Sequence, residues 1–133
     1  MLKQTSLLLL LGVYFLSSCK EERSCMPSKG LQGQWIWIKS VGGIGGWTET
    51  PESEGYSQKL VIDDYYYQEY RDGSLTLSSQ YDSGISDVPL FGTEERTYIT
   101  VDSIGQRAFV LNGNELQIID ACFDCFTHYY RRN

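Results

Sequence analysis

The sequence has few of the residues that metal enzymes and nucleic-acid-binding proteins need. Its 133 residues include one histidine, His128, and 11 Lys and Arg against 17 Asp and Glu, which gives a formal net charge of -6. With one histidine, the chain has few residues from which to build the metal site of a zinc hydrolase or the triad of a Ser-His-Asp enzyme. A deficit of basic residues argues against a nucleic-acid partner, because Lys and Arg must replace the counterions of the phosphates. We therefore expect no enzymatic activity, no cofactor and no metal.

Long apolar runs are also missing, except at the N-terminus. Leu7 to Leu16 carries no charge and follows Lys3. The run is too short for a helix across the roughly 30 Å hydrocarbon core, but it is typical of an export signal. Leu16-Ser17-Ser18-Cys19 resembles the lipobox of bacterial lipoproteins. The resemblance implies that residues 1–18 are a cleaved signal peptide and that Cys19 is acylated, whereas the alternative is a buried helix of the folded domain.

The segment after the acylation site is charged and polar. Lys20-Glu21-Glu22-Arg23 resembles the export signal that follows the lipidated cysteine in surface lipoproteins of the Bacteroidota. This resemblance implies anchoring to the outer membrane and display on the cell surface, although an ordinary solvated tether has a similar composition. We interpret residues 19–31 as the lipidated N-terminus and a linker.

The remaining chain, residues 32–133, has the pattern of an all-β domain. Turn signals such as Asp72-Gly73 separate short segments rich in β-branched and aromatic residues. We predict eight strands, at 34–41, 57–62, 65–71, 74–81, 96–101, 108–111, 116–119 and 126–131. Hairpins between most of them favour an eight-stranded antiparallel up-and-down β-barrel. A sandwich is the competing fold, but it requires longer Greek-key crossings.

Both ends of this domain resemble those of a lipocalin. Gly33-Gln34-Trp35 opens the first strand, and Tyr129-Tyr130-Arg131-Arg132 lies in the last. With the lipobox, this pattern is similar to the small lipocalin-like lipoproteins of the Bacteroidota. The resemblance implies that Gly33, Trp35 and Arg131 close one end of the barrel, with the guanidinium over the indole ring. The C-terminal helix of larger lipocalins is missing.

Once Cys19 is assigned to the lipid anchor, three cysteines remain. Cys122 and Cys125 form a Cys-x-x-Cys, with His128 three residues further on. Together with Cys25 they would supply four zinc ligands, and a thioredoxin-like role is a second alternative. Export favours a disulfide instead. The pairing stays open between Cys122–Cys125 and a bond from Cys25 to one of them.

Tyrosines supply the best indication of a binding function. In a strand, Tyr66 and Tyr70 share one face, and Tyr65 and Tyr67 share the other. One face would line the barrel and the other would face outward. Trp47, in the glycine-rich loop after the first strand, is a candidate lid residue.

From these residues we predict a small apolar or aromatic ligand at the barrel mouth, bound by Trp47, Tyr66 and Tyr70. The alternative is a solid barrel whose outer face binds an envelope protein or a glycan.

The lipobox makes a direct prediction. In cells fed radiolabelled palmitate, the protein should carry label, and the Cys19→Ser variant should carry none because it lacks the acceptor thiol. Cys25→Ser is the matched control and should be labelled like the wild type. Label on Cys19→Ser would exclude this anchor.

Overall fold

A computed structural model of the chain describes residues 30–87 and 95–133. Cys19, Cys25 and the proposed signal peptide lie outside the described residues. The described elements, in chain order, are β1 (Gly33–Gly42), β2 (Trp47–Glu49), α1 (Pro51–Glu54), β3 (Gln58–Ile62), β4 (Tyr66–Arg71), β5 (Ser74–Asp87), β6 (Glu95–Val101), β7 (Gly105–Asn112), β8 (Glu115–Asp120) and β9 (Phe126–Arg132).

Eight of the strands form a closed ring. The hydrogen-bonded order is β1, β3, β4, β5, β6, β7, β8, β9, and β9 pairs back with β1. All these pairings are antiparallel and join strands that follow one another around the ring. The predicted eight-stranded up-and-down barrel is therefore confirmed. The sandwich does not form, because each connection joins neighbouring strands and leaves no Greek-key crossing.

Two short elements lie in the segment that the sequence predicts as a long loop. β2 pairs with the end of β1 and adds a strand outside the ring. α1 begins after Thr50, whose side chain accepts a hydrogen bond from the Ser53 backbone N–H at 3.2 Å. Pro51 fits the first helical position, and Gly55 ends the turn in the left-handed region. These local signals are readable in the sequence but act over too few residues to show periodicity.

Two irregularities set which side chains face inward. Trp37 pairs with Tyr130 and Lys39 with Tyr129, so β1 contains a bulge and both Ile38 and Lys39 point outward. A second shift, between β4 and β5, pairs Glu69 with Leu77 but Tyr70 with Leu75. Leu77 packs against the core and Leu75 is exposed, so these two leucines lie on opposite faces although they are two residues apart. The extra residue of a bulge reverses the alternation.

Side chains fill the barrel interior. The buried core consists of Leu31, Trp35, Trp37, Leu60, Ile62, Tyr67, Ile99, Val101, Phe109, Leu116, Ile118 and Tyr130, with Leu77, Leu111, Tyr56 and Tyr81 packed against it. These residues come from every strand of the ring. An eight-stranded barrel is narrow enough for side chains to meet across its axis, and burying this much apolar surface is the main stabilising contribution to the fold.

The base of the barrel, where β1 begins and β9 ends, is closed around Trp35. The indole is fully buried and donates from Nε1 to the carbonyl oxygen of Leu31 at 2.8 Å. Leu31, which the sequence assigns to the linker, is fully buried as well. The guanidinium over the indole belongs to Arg132, 4.1 Å from the ring centre, and not to Arg131 as predicted.

Successive residues of a strand point to opposite faces. Because Tyr130 points inward in β9, Arg131 lies on the outer face. Arg132 also donates to the carbonyl oxygens of Gly30 and Gln32. A side chain at Gly33, whose φ is 143°, would collide with this guanidinium. Gly33 and Trp35 therefore lie at the base of the barrel with Arg132 as their partner.

The two adjacent arginines allow a matched test. Arg132→Ala should lower the free energy of unfolding by about 2–4 kcal/mol, because it removes a buried cation–π contact and charge-assisted hydrogen bonds. Arg131→Ala, on the exposed face, should change it by no more than about 0.5 kcal/mol. Urea titration followed by circular dichroism measures both values. Equal losses would show that Arg132 has no special role.

Candidate functional site

The three residues predicted to bind a ligand do not meet inside the barrel. Trp47 lies on β2, outside the ring, and is 68% exposed. Its indole covers the turn at Gly43 and Gly45, where an added Cβ would lie 3.0 and 2.8 Å from ring atoms. Trp47 is thus packed on its own hairpin, and its ring does not cover the barrel interior.

The tyrosine run divides as its alternation requires. Tyr67 points inward and is fully buried, whereas Tyr66 is 42% exposed on the outer face. Tyr70 is half-buried on the outer face, with Lys59 Nζ 5.1 Å from its ring centre. The face with Tyr66 and Tyr70, which we predicted to bind a ligand, is therefore the outer face of the barrel.

The rim of the barrel, where β1 ends and β9 begins, holds a stack of three side chains. The Tyr56 ring packs on the Trp37 indole with centroids 5.6 Å apart and planes 15° apart. The guanidinium of Arg71, an exposed residue, lies 4.0 Å from the Tyr56 ring centre. An arginine thus covers aromatic rings at both ends of the barrel.

Beside this stack runs a series of linked polar side chains, which we call the polar chain. Arg107 Nε lies 3.1 Å from Asp120 Oδ1, and Asp120 Oδ2 lies 3.1 Å from His128 Nε2. His128 Nδ1 lies 2.8 Å from Ser40 Oγ, which also accepts a hydrogen bond from Trp37 Nε1 at 2.9 Å. The polar chain therefore joins the rim to the buried indole.

The order Asp120, His128, Ser40 resembles a nucleophilic triad, but the serine is enclosed. A carboxylate only accepts, so His128 donates from Nε2 to Asp120, and its Nδ1 shares a hydrogen bond with the Ser40 hydroxyl. Ser40 is 2% exposed and its oxygen already accepts from Trp37. A substrate has no path to that oxygen in this arrangement. The hydrogen bonds from Trp37 and to His128 at the Ser40 hydroxyl hold the Trp37 ring in place.

Burial and charge act in opposite directions on Asp120. Burial alone would raise the pKa of this carboxyl group, but the hydrogen bond from His128 and the charge of Arg107 outweigh it and leave the pKa below its ordinary value. Nearby, burial raises the pKa of the Tyr67 and Tyr130 hydroxyls. Tyr67 stays protonated and donates to Glu69 Oε1 at 3.0 Å.

The cysteines near the rim are bonded to each other. Cys122 and Cys125 form a disulfide with their Cα atoms 5.3 Å apart. Of the alternatives left open by the sequence, the structure contains the Cys122–Cys125 pairing. Both ring nitrogens of His128 face protein partners. Within residues 30–87 and 95–133, no three His, Cys, Asp or Glu side chains are grouped to hold a metal ion.

The outer surface has one region of distinct composition. β3, β1 and β9 are neighbours in the ring, and their sequences contain no Asp or Glu, although the whole chain has more acidic than basic residues. Three cations point outward from these strands, and we call this surface the acid-free face. Its outward side chains include Ile36, Ile38, Lys39, Lys59, Tyr129 and Arg131.

Two shallow grooves flank the isoleucines on the acid-free face. One, of about 310 Å³, is lined by Ile38, Lys39, Tyr129 and Arg131 together with residues of β8. The other, of about 230 Å³, is lined by Ile36, Lys59 and Tyr70, with residues at the start of β3. Lys39 Nζ lies 5.0 Å from the Tyr129 ring centre, so a lysine and a tyrosine are paired in each groove.

Sequence reasoning missed both the polar chain and the acid-free face. Arg107, Asp120 and His128 each sit two residues from a buried apolar residue in the same strand. Residues two apart in a strand share a face, so this spacing indicates that all three side chains point inward. The acid-free face requires knowing that β1 lies between β3 and β9, which the sequence shows only once the barrel is assumed.

Comparison of the chain with protein-family models, with curated proteins and with solved structures finds no match. In the part of the chain that the structure describes, no helix is long and apolar enough to cross a membrane.

The lowered pKa of Asp120 predicts a pH-dependent contribution to stability. Its ionised form is favoured by folding, so the stabilisation is present above the unfolded pKa, about 4, and is lost as pH falls through the lower folded pKa. At pH 7, Asp120→Asn should cost about 1–3 kcal/mol, and the difference from wild type should shrink below pH 4.

Urea titrations between pH 2.5 and 7 measure this difference. Asp124→Asn, at an exposed position on the neighbouring loop, is the matched control and should follow the wild-type curve. A pH-independent difference for Asp120→Asn would contradict the assignment.

Proposed function

We propose that this chain is a lipid-anchored envelope protein, acylated at Cys19 and displayed at the outer membrane. The lipobox and the charged segment that follows it support this location. Gly30, at the base of the barrel, follows Cys19 by eleven residues. An extended tether of that length reaches at most about 40 Å, so the barrel would stay close to the membrane surface.

The barrel then acts as a solid scaffold whose working surface is external. The observation that carries this proposal is the filled interior, with Arg132 over Trp35 at the base and Arg71 over Tyr56 and Trp37 at the rim. The core side chains are only 0–5% exposed, so little of their apolar surface is left to contact a ligand. This favours the second of the two functions considered from the sequence over a small-molecule carrier.

On the acid-free face, the side chains suit a glycan. Tyrosine rings offer flat apolar surface to the C–H groups of a sugar, and their hydroxyls and the lysine ammonium groups offer hydrogen bonds. The grooves beside Ile36 and Ile38 are each lined by a lysine and a tyrosine.

A stable protein partner would need about 800 Å² of complementary surface with an apolar centre. The isoleucines offer only a narrow apolar strip between cations. We therefore propose glycan binding at this face.

Substitutions of two outer tyrosines distinguish the proposed site from the site at the barrel mouth that the sequence predicts. Tyr129→Ala should weaken glycan binding roughly three- to tenfold, or about 1 kcal/mol, because it removes the ring of the larger groove. Tyr66→Ala, on the outer face but outside both grooves, should leave binding unchanged. The full-length protein in detergent, screened by affinity electrophoresis in gels that contain polysaccharides, provides the measurement.

Native mass spectrometry of the same preparation tests the alternative. We expect the mass of the acylated chain without a further small molecule. A bound apolar compound, together with weakened retention of that compound by Trp47→Ala or Tyr66→Ala, would replace the proposed function with ligand binding at the mouth.

A further inference from the structure

We propose that the glycan bound by the acid-free face is an acidic polysaccharide, whose carboxylates pair with Lys39, Lys59 and Arg131. This inference rests on the proposed function and specifies the chemical class of its partner. It depends on charge and spacing on the outer face, whereas the proposed function depends on the filled interior and the tyrosines.

Within residues 30–87 and 95–133, none of the three cations forms an ion pair, whereas Arg107 and Asp120 pair on the inner side of the barrel wall. Lys39 and Lys59 rest on tyrosine rings. Glu115 lies opposite Arg131 across the β8–β9 pair and lines the larger groove, so Arg131 has an acidic neighbour. Among the described residues, Lys39 and Lys59 pair with no carboxylate, so an anionic ligand would meet two cations whose charge is not neutralised.

Their arrangement is that of separate charges and not of a dense cluster. Ile36 pairs with Lys59 on one side and with Arg131 on the other, so these two cations lie on strands two inter-strand spacings apart, about 10 Å. Lys39 stands three residues along β1 from Ile36, again about 10 Å. A polymer that carries one charge on each sugar or repeat can place successive carboxylates at such intervals, with apolar sugar faces over Ile36 and Ile38 between them.

The rest of the molecule disfavours other polyanions. The net charge of -6 opposes every polyanion at long range, and most strongly those that present dense negative charge over wide surfaces, such as DNA, RNA and anionic membranes. A strip three strands wide is enough for a single polysaccharide chain but not for a duplex or a bilayer. A single chain with widely spaced carboxylates is thus the polyanion that is repelled least and that fits the width of the acid-free face.

Polygalacturonate and its fully methyl-esterified form provide a matched pair of probes. They share a backbone, and esterification removes only the carboxylate charge. The full-length protein in detergent should bind polygalacturonate at low salt and bind the ester at least tenfold more weakly. Added NaCl should weaken the first interaction and leave the second unchanged, since mobile ions screen exposed charges.

Substitutions of the three cations test whether the acid-free face is responsible for binding to polygalacturonate. Lys39→Gln and Arg131→Gln should each weaken binding to polygalacturonate by about three- to fivefold, and the combination with Lys59→Gln should abolish it. Arg96→Gln makes the same charge change on β6, across the barrel, and should bind like the wild type. Circular dichroism of each variant establishes that the fold is retained.

Three results would overturn the inference in distinguishable ways. Equal binding of the acid and the ester, with both lost in Tyr129→Ala, would keep the glycan site and remove the preference for acids. Binding to vesicles of phosphatidylglycerol that exceeds binding to polygalacturonate would assign the cations to a membrane surface. Absence of binding to every polysaccharide tested would overturn the inference and the proposed function together.

Discussion

The pairing of β1 with β9 is the constraint on which the rest of the molecule depends. It converts a meander into a ring, and it brings Arg132 over Trp35 and the carbonyl groups that precede it. Without this closure Trp35 would lose its cover, and both end strands would expose unpaired backbone groups. The same pairing builds the outer surface, because Lys39 meets Tyr129 and Ile36 meets Arg131 only where the two ends of the domain join.

Much of the fold could be predicted from the sequence, because strands with one buried face alternate and hairpin turns have short signals. Prediction failed where neighbouring residues are alike. In Tyr129-Tyr130-Arg131-Arg132 each face receives one tyrosine and one arginine, so composition does not show which arginine faces inward. The tyrosines at 65–67 pose the same problem, and only the burial of Tyr67 in the structure shows which of them points inward.

The site was less predictable, for a physical reason. A binding face on a barrel combines residues from strands that are distant in sequence, and its charge depends on what surrounds each cation. Lys59 and Arg131 are separated by more than half of the chain but flank the same isoleucine. The interior shows the complementary arrangement, since the charges of Arg107 and Asp120 neutralise each other where solvent is scarce. In the part of the chain that the structure describes, the ion pair of Arg107 and Asp120 thus lies on the inner side of the wall, and Lys39, Lys59 and Arg131 lie on the outer side.

The bulge in β1 has a consequence for how this protein can vary. One additional residue at Ile38 lets Trp37 and Ser40 both face inward, three positions apart, while Lys39 joins Ile38 on the outside. Deleting Ile38 would remove the extra residue, so regular alternation would keep Trp37 and Ser40 facing inward and Lys39 facing outward. Loss of the bulge without loss of a residue would instead turn Ser40 out of the polar chain and Lys39 out of the groove in a single step. Homologous chains should therefore either keep the bulge or lack one residue at this point of β1.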